Sequence, residues 1–259
     1  MSESILDRSY DISISVLDLA HRKISNLPDS IGKFVNLEVL RLNYNKLETL
    51  PESIGNLVNL KSLSVYDNQL LTLPNSIGNL VNLQYLNLEN NKLTTVPESF
   101  DKLVNLKVLY LYNNQLSELP KSITKLVNLE YLYLQLNKLE TLPESFGRLV
   151  NLQHLNLEYN RLSGLPESIG KLVNLRYFNL NFNNLNTLPK SILNIKESLK
   201  TNARSYEINN LDLDTKFLIF YNLTEELINL PIDLEEIWIQ KENAKLNHKI
   251  PFGCVIKYY

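Results

Sequence analysis

The chain has 259 residues, 44% hydrophobic and 21% charged, with 26 basic side chains against 28 acidic ones. That near balance offers no electrostatic footprint for nucleic acid or for an anionic membrane surface. No apolar run approaches the roughly 18 residues that crossing a bilayer requires, and a single cysteine, Cys254, excludes an internal disulfide framework.

Residues 1–13 are too short for a domain. They carry neither the basic start nor the apolar stretch of a signal peptide, so a reducing, cytoplasmic location is expected. Ile5, Leu6, Tyr10 and Ile12 are expected to cover the open end of the first coil of a repeat array, as a short helical turn or an extra strand.

From Ile14 the chain repeats itself. The stretch 106–116, LKVLYLYNNQL, is one copy of L-x-x-L-x-L-x-x-N-x-L, and its first position recurs at Ile14, Leu37, Leu60, Leu83, Leu106, Leu129, Leu152 and Leu175, a step of 23 residues. A fixed period of this length marks a solenoid, in which each coil covers the apolar face of the next. The L-x-L alternation predicts a strand in each coil, and because every coil follows the same path these strands run parallel, about 4.8 Å apart. Asn recurs at the ninth position (45, 68, 91, 114, 137, 160 and 183), where its amide can satisfy backbone groups at the turn out of the strand. The first coil has Arg22 in that place, as suits a terminal repeat.

The second half of each unit reads L-P-x-S-I-G-x-L-V-N-L. Proline recurs from 28 to 189, fixing φ and removing a donor. The serine two residues on is expected to bond local backbone and open a short helical turn. Gly at 32, 55, 78, 147 and 170 permits a tight or φ-positive backbone, although Asp101 and Thr124 take its place in two coils. Helical turns are wider than strands, so the solenoid curves with its sheet on the concave side.

This unit resembles a leucine-rich repeat over residues 14 to about 195. Its closest class is the 23-residue intracellular type, similar to plant Ras-group-related, Scribble-like, bacterial and giant-virus leucine-rich repeat proteins. The resemblance implies an α/β repeat solenoid: a right-handed horseshoe with a concave parallel sheet and short helical or 3-10 turns on the convex side. It also implies protein binding through the sheet and no catalytic residues.

Register breaks after Leu188-Pro189. Ile208, Leu211, Leu213 and Leu218 fit a degenerate copy with Lys216 in the Asn place, so residues near 195–205 should loop out. Leu234, Ile237 and Ile239 fit another, with Glu242 in the Asn place, and IPFGCVIKYY reads as an apolar end strand. The expected organisation is therefore an N-terminal cap at 1–13, eight repeats at 14–195, and degenerate repeats with a C-terminal cap at 196–259.

Little in the chain points to chemistry. His21, His154 and His248 make no metal-ligand spacing with Cys254, and no metalloprotease, phosphate-loop or dinucleotide motif occurs. Cys254 has no acidic or histidine neighbour to activate its thiol and is expected to be a small apolar residue in the cap. No catalytic residue, metal or cofactor is expected. His154 falls on the sheet face and is expected to be a solvated surface histidine.

The sheet face is the informative surface. Its outward columns are the third, fifth, seventh and eighth positions, and nine of the fourteen tyrosines fall there. Tyr110, Tyr112, Tyr131 and Tyr133 lie on adjacent strands with Tyr85 and Leu136 beside them, and Tyr159 and Tyr177 come next along the sheet. Tyrosine joins a large contact area to a polar tip, and it is enriched at interface hot spots. Mixed charges around this aromatic centre suit a protein partner better than a polyanion. The expected function is non-enzymatic binding of a protein or peptide on the concave sheet. The alternative is substrate recognition within an effector or ubiquitin-ligase-like system whose activity lies in, or is recruited by, the C-terminal tail. Carbohydrate or small-molecule binding by the aromatic faces is a third reading, weakened because an open sheet offers no closed pocket.

Overall fold

The computed structural model describes residues 2–5, 8–180, 182–185 and 189–195, together with strands at 217–220, 236–239 and 255–258. The repeat unit folds as its alternation predicts. β3 (Val16–Asp18), β4 (Val39–Arg41), β5 (Ser62–Ser64), β6 (Tyr85–Asn87), β7 (Val108–Tyr110), β8 (Tyr131–Tyr133), β9 (His154–Asn156) and β10 (Tyr177–Asn179) form one eight-stranded sheet in chain order. All its neighbours are parallel, and each residue pairs with the one 23 positions on, as Leu109 does with Leu132. The central residue of every strand points inward. Leu40, Leu63, Leu86, Leu109, Leu132 and Leu155 are fully buried, and they join one continuous core with the other consensus leucines and Phe34, Phe100 and Phe146.

Three devices hold successive coils in register. The ninth-position asparagines form a ladder: Asn114 donates from Nδ2 to the carbonyls of Leu88 and Leu111, and its Oδ1 accepts the Leu93 N–H at 3.0 Å. The same pattern recurs at Asn45, Asn68, Asn91, Asn137 and Asn160, all buried. These amides bind the preceding coil as well as their own, which satisfies backbone groups that no strand ladder reaches. A second ladder, unassigned from the sequence, uses the Asn of L-V-N-L. Asn59, Asn82, Asn105, Asn128, Asn151 and Asn174 each donate to the valine carbonyl 24 residues back, at 2.8–2.9 Å.

The third device is the backbone itself. Three residues after each strand comes a left-handed residue at the eighth position: His21, Tyr44, Asp67, Asn90, Asn113, Leu136, Tyr159 and Phe182 all have φ between 52° and 58°. No glycine marks this turn, so it was invisible in the sequence.

Opposite the sheet lie short 3-10 helices, among them Asp29–Lys33, Glu52–Asn56, Asn75–Asn79, Glu98–Lys102, Lys121–Lys125 and Glu167–Lys171. Proline takes the N-cap position in an extended conformation, and its carbonyl accepts the first helical bond, as Pro51 does from Ile54 at 3.0 Å. The expected roles of serine and glycine need correction. Where the serine hydroxyls bond, they reach the neighbouring coil, as Ser53 does to Asp29 at 3.2 Å and Ser191 to the Glu167 carbonyl at 2.7 Å, and those of Ser76, Ser99 and Ser122 are buried without a partner. The glycines do not have positive φ. They are small because the next coil is close: a Cβ on Gly55 would sit 2.6 Å from the carbonyl oxygen of Ser76, and one on Gly147 2.0 Å from that of Ser168. Where Thr124 replaces glycine, the following helix shrinks to Phe146–Arg148.

At the N-terminus β1 (Ser2–Ile5) and β2 (Arg8–Asp11) form an antiparallel hairpin, and Tyr10, Ile12 and Ile14 pack against the core. The hairpin touches the first 3-10 helix. Near the C-terminus β11 (Phe217–Phe220), β12 (Glu236–Ile239) and β13 (Val255–Tyr258) form a separate parallel sheet whose register advances by 19 residues per strand. Ile237 and Ile239 lie in a strand as expected. Leu218, expected to follow the strand of its degenerate copy, lies inside β11. The other positions of that copy, Glu242, Cys254 and the loop expected near 195–205 fall outside the described residues, apart from Ile195, which ends the last 3-10 helix.

Candidate functional site

Strand register brings the outward tyrosines into two runs across the sheet. In the first, Tyr85 meets Tyr110 at 5.7 Å between ring centroids, and Tyr110 stacks on Tyr133 at 4.7 Å with planes only 2° apart. In the second, His154 lies between Tyr131, at 4.7 Å, and Tyr177, at 5.9 Å. All six are half-buried, and Val108 lies between Tyr85 and Tyr131 in the third column. Because adjacent strands stand side by side, Tyr110 and Tyr133 each cover one face of the other, and Tyr85 meets Tyr110 tilted by 55°.

Burial among neighbouring rings shifts their ionisation. The Tyr110 and Tyr133 hydroxyls are raised above the ordinary phenol value, first by desolvation and then by the surrounding tyrosines. Both stay protonated as hydrogen-bond donors at neutral pH. The His154 imidazole is lowered from its ordinary 6.5 by burial and by the Arg176 charge, so the ring between the two tyrosines is neutral. His154 is thus part of the aromatic run, not the solvated surface residue expected. Its place was legible only in the third column, where it stands between Tyr131 and Tyr177.

The remaining candidates sit apart from these runs. Tyr112 donates its hydroxyl to the Glu89 carboxylate on the preceding coil, and burial raises that carboxyl above its usual range. Leu136 and Tyr159 occupy the left-handed eighth position on the rim and are 46% exposed. Tyr159 stacks on Phe182 at 4.2 Å, and at the other end of the rim Tyr44 stacks on His21 at 4.2 Å and meets Tyr66 edge-on. The Tyr66 hydroxyl is pushed up to about 12, chiefly by burial. Amides complete the face. Asn87 and Asn156 are buried at the fifth position, each accepting the backbone N–H two residues on, and Gln135 Oε1 is buried without a partner. Charged pairs link successive coils at its border, as in Lys61–Glu38 at 2.9 Å and Lys107–Glu130 at 3.9 Å. Such exposed pairs add little stability.

A separate apolar feature was not anticipated. The valine of each L-V-N-L, from Val35 to Val173, is exposed, giving one such side chain per coil along the flank.

An eight-stranded parallel sheet backed by 3-10 turns, with buried leucines and an asparagine ladder at a 23-residue step, defines a leucine-rich-repeat solenoid. The chain belongs to the leucine-rich repeat family: the model of the leucine-rich repeat region matches residues 13–84 and 72–157, and that of the single repeat matches 151–172. Among solved structures it is similar to a Leptospira interrogans leucine-rich repeat protein, at 34% identity and a TM-score of 0.67, over 90% of this chain and 59% of that one. The chain thus spans under two thirds of that protein's length. It is also similar to the leucine-rich repeat domain of the type III effector XopL, at 31% identity and a TM-score of 0.67, over 73% of this chain and 68% of that one. A Listeria monocytogenes internalin shares the fold at 21% identity and a TM-score of 0.62, over 93% of this chain and 80% of that one. A comparison with curated proteins gives no match. Folds of this family commonly serve as protein-interaction modules. No helix among the described residues is long and apolar enough to cross a membrane.

Proposed function

We propose that the chain is a non-enzymatic interaction module that binds a protein or peptide on its concave sheet, with Tyr110 and Tyr133 at the centre of contact. The observation that carries this reading is the stacked, half-buried tyrosine pair, flanked by Tyr85 on one side and the Tyr131–His154–Tyr177 run on the other. Rings that brace one another lose little further rotamer freedom on binding, so contact costs less entropy than it does for isolated side chains. The protonated hydroxyls at their tips suit the backbone carbonyls and carboxylates of a polypeptide. The mutual covering of Tyr110 and Tyr133 speaks against sugar stacking, which needs open ring faces. Tyr112, Leu136 and Tyr159 belong to the border of this contact.

The test is a pull-down from native cells with the wild-type chain and a Tyr110→Ala/Tyr133→Ala variant. The double variant should keep its circular-dichroism melt, since neither ring is in the core, and should lose the partner. Undiminished capture by the folded double variant would move the contact elsewhere.

A further inference from the structure

We propose that a cleft on the opposite, helical side of the solenoid, at the fifth to seventh coils, is a binding site for a phosphate-class oxyanion. The site lies where the repeat departs from its own pattern. In most coils the residue after the proline is acidic (Asp29, Glu52, Glu98, Glu144 and Glu167), and in the first two it bonds the serine of the next coil. Asp29 accepts from the Ser53 hydroxyl at 3.2 Å, and Glu52 accepts from the Ser76 N–H at 3.2 Å. The fifth coil has Lys121 there, and three residues later Thr124 replaces glycine. Thr124 Oγ1 donates to the Lys121 carbonyl at 2.8 Å, so the Ser145 hydroxyl, 3.0 Å away, donates to it in turn. The next helix covers only Phe146–Arg148, and a cleft of about 450 Å³ lies beside it.

Lys121, Arg148 and Lys171 surround this cleft, with Glu144 as its one carboxylate. Among the described residues none of the three cations is in an ion pair, whereas Lys125 nearby is held by Asp101 at 2.8 Å. Ser168 adds a directed donor: its oxygen accepts the Gly147 N–H at 3.1 Å, and its own proton remains unspent. Three unpaired cations and a free hydroxyl around a cleft of ligand-binding size form an arrangement that an oxyanion neutralises through charge-assisted hydrogen bonds. A phosphate monoester on a protein and free inorganic phosphate share this chemistry. The site is independent of the tyrosine face.

The test is an NMR titration of the ¹⁵N-labelled full chain at constant ionic strength. The probes are inorganic phosphate, a phosphoserine pentapeptide and the same peptide unphosphorylated, followed at the Gly147 and Ser168 amides. The expected result is a saturable shift with phosphate or phosphopeptide and none with the unphosphorylated peptide. Arg148→Ala/Lys171→Ala should weaken it at least tenfold, Glu144→Gln should strengthen it, and Lys33→Ala, at the same place in the first coil, should leave it unchanged. A tighter phosphopeptide points to a modified partner, and equal affinities point to the free ion. Shifts that never saturate, that the unphosphorylated peptide reproduces, or that Lys33→Ala weakens equally would overturn the site.

Discussion

Leu136 holds a backbone conformation that leucine adopts only at a cost, with φ at 57° and its side chain largely in solvent. The same turn in three other coils uses Asp67, Asn90 and Asn113, residues whose short polar side chains tolerate the left-handed region. Leu136→Asn should therefore raise stability by about 1 kcal/mol, read as a higher urea midpoint at unchanged slope; a lower midpoint would show that the leucine is held by packing instead. Glycine is governed by space: Gly147→Ala drives a Cβ into the Ser168 carbonyl and should cost roughly 1–3 kcal/mol as overpacking. Gly164→Ala meets nothing within 4 Å and should be neutral or slightly stabilising in the same melts. For His154 the folded value lies below the ordinary 6.5, so the unfolded chain takes up the proton first. Its contribution to stability is complete above about pH 6.5 and is lost as pH falls through the folded value. The wild type should lose more stability than His154→Gln over that acid window, and equal losses would show that its ring is freely solvated.

At the scale of the element, one coil is a strand, an asparagine-bonded turn and a 3-10 helix, and its stability comes mainly from its neighbours. Leu109 and Leu132 are fully buried on paired strands, so either change to alanine should cost about 2–5 kcal/mol in denaturant titration. A loss below about 1 kcal/mol would contradict the inward assignment. These leucines, the ladder asparagines and the strand register were legible because each repeats at a fixed position, and repetition separates structural from variable residues without any structure. The left-handed eighth position was not legible, because its residue types range from Asp to Phe and share only a backbone angle. Nor was the reason for glycine, since the close approach of Ser76 to Gly55 joins residues 21 apart on neighbouring coils. The tyrosine columns could be read from the sequence, but the stacking of Tyr110 on Tyr133 could not.

For the whole molecule, the eight coils make a continuous sheet whose two sides divide the work. The leucine side is uniform and holds the fold, while the outward side varies from coil to coil and changes from small and amide side chains around Ser62, Ser64 and Asn87 to aromatic ones at Tyr110 and Tyr133. The final strands advance by 19 residues rather than 23, a more compact step. Variation on a uniform frame is what a recognition surface requires, and the tyrosine face is where we propose that the partner binds. The most direct test is photo-crosslinking in native cells with benzoylphenylalanine placed at Tyr133 or, as a control, at the exposed flank residue Val104. One discrete protein adduct is expected from position 133 and none from 104. An adduct from 104 with none from 133 would contradict a contact on the tyrosine face.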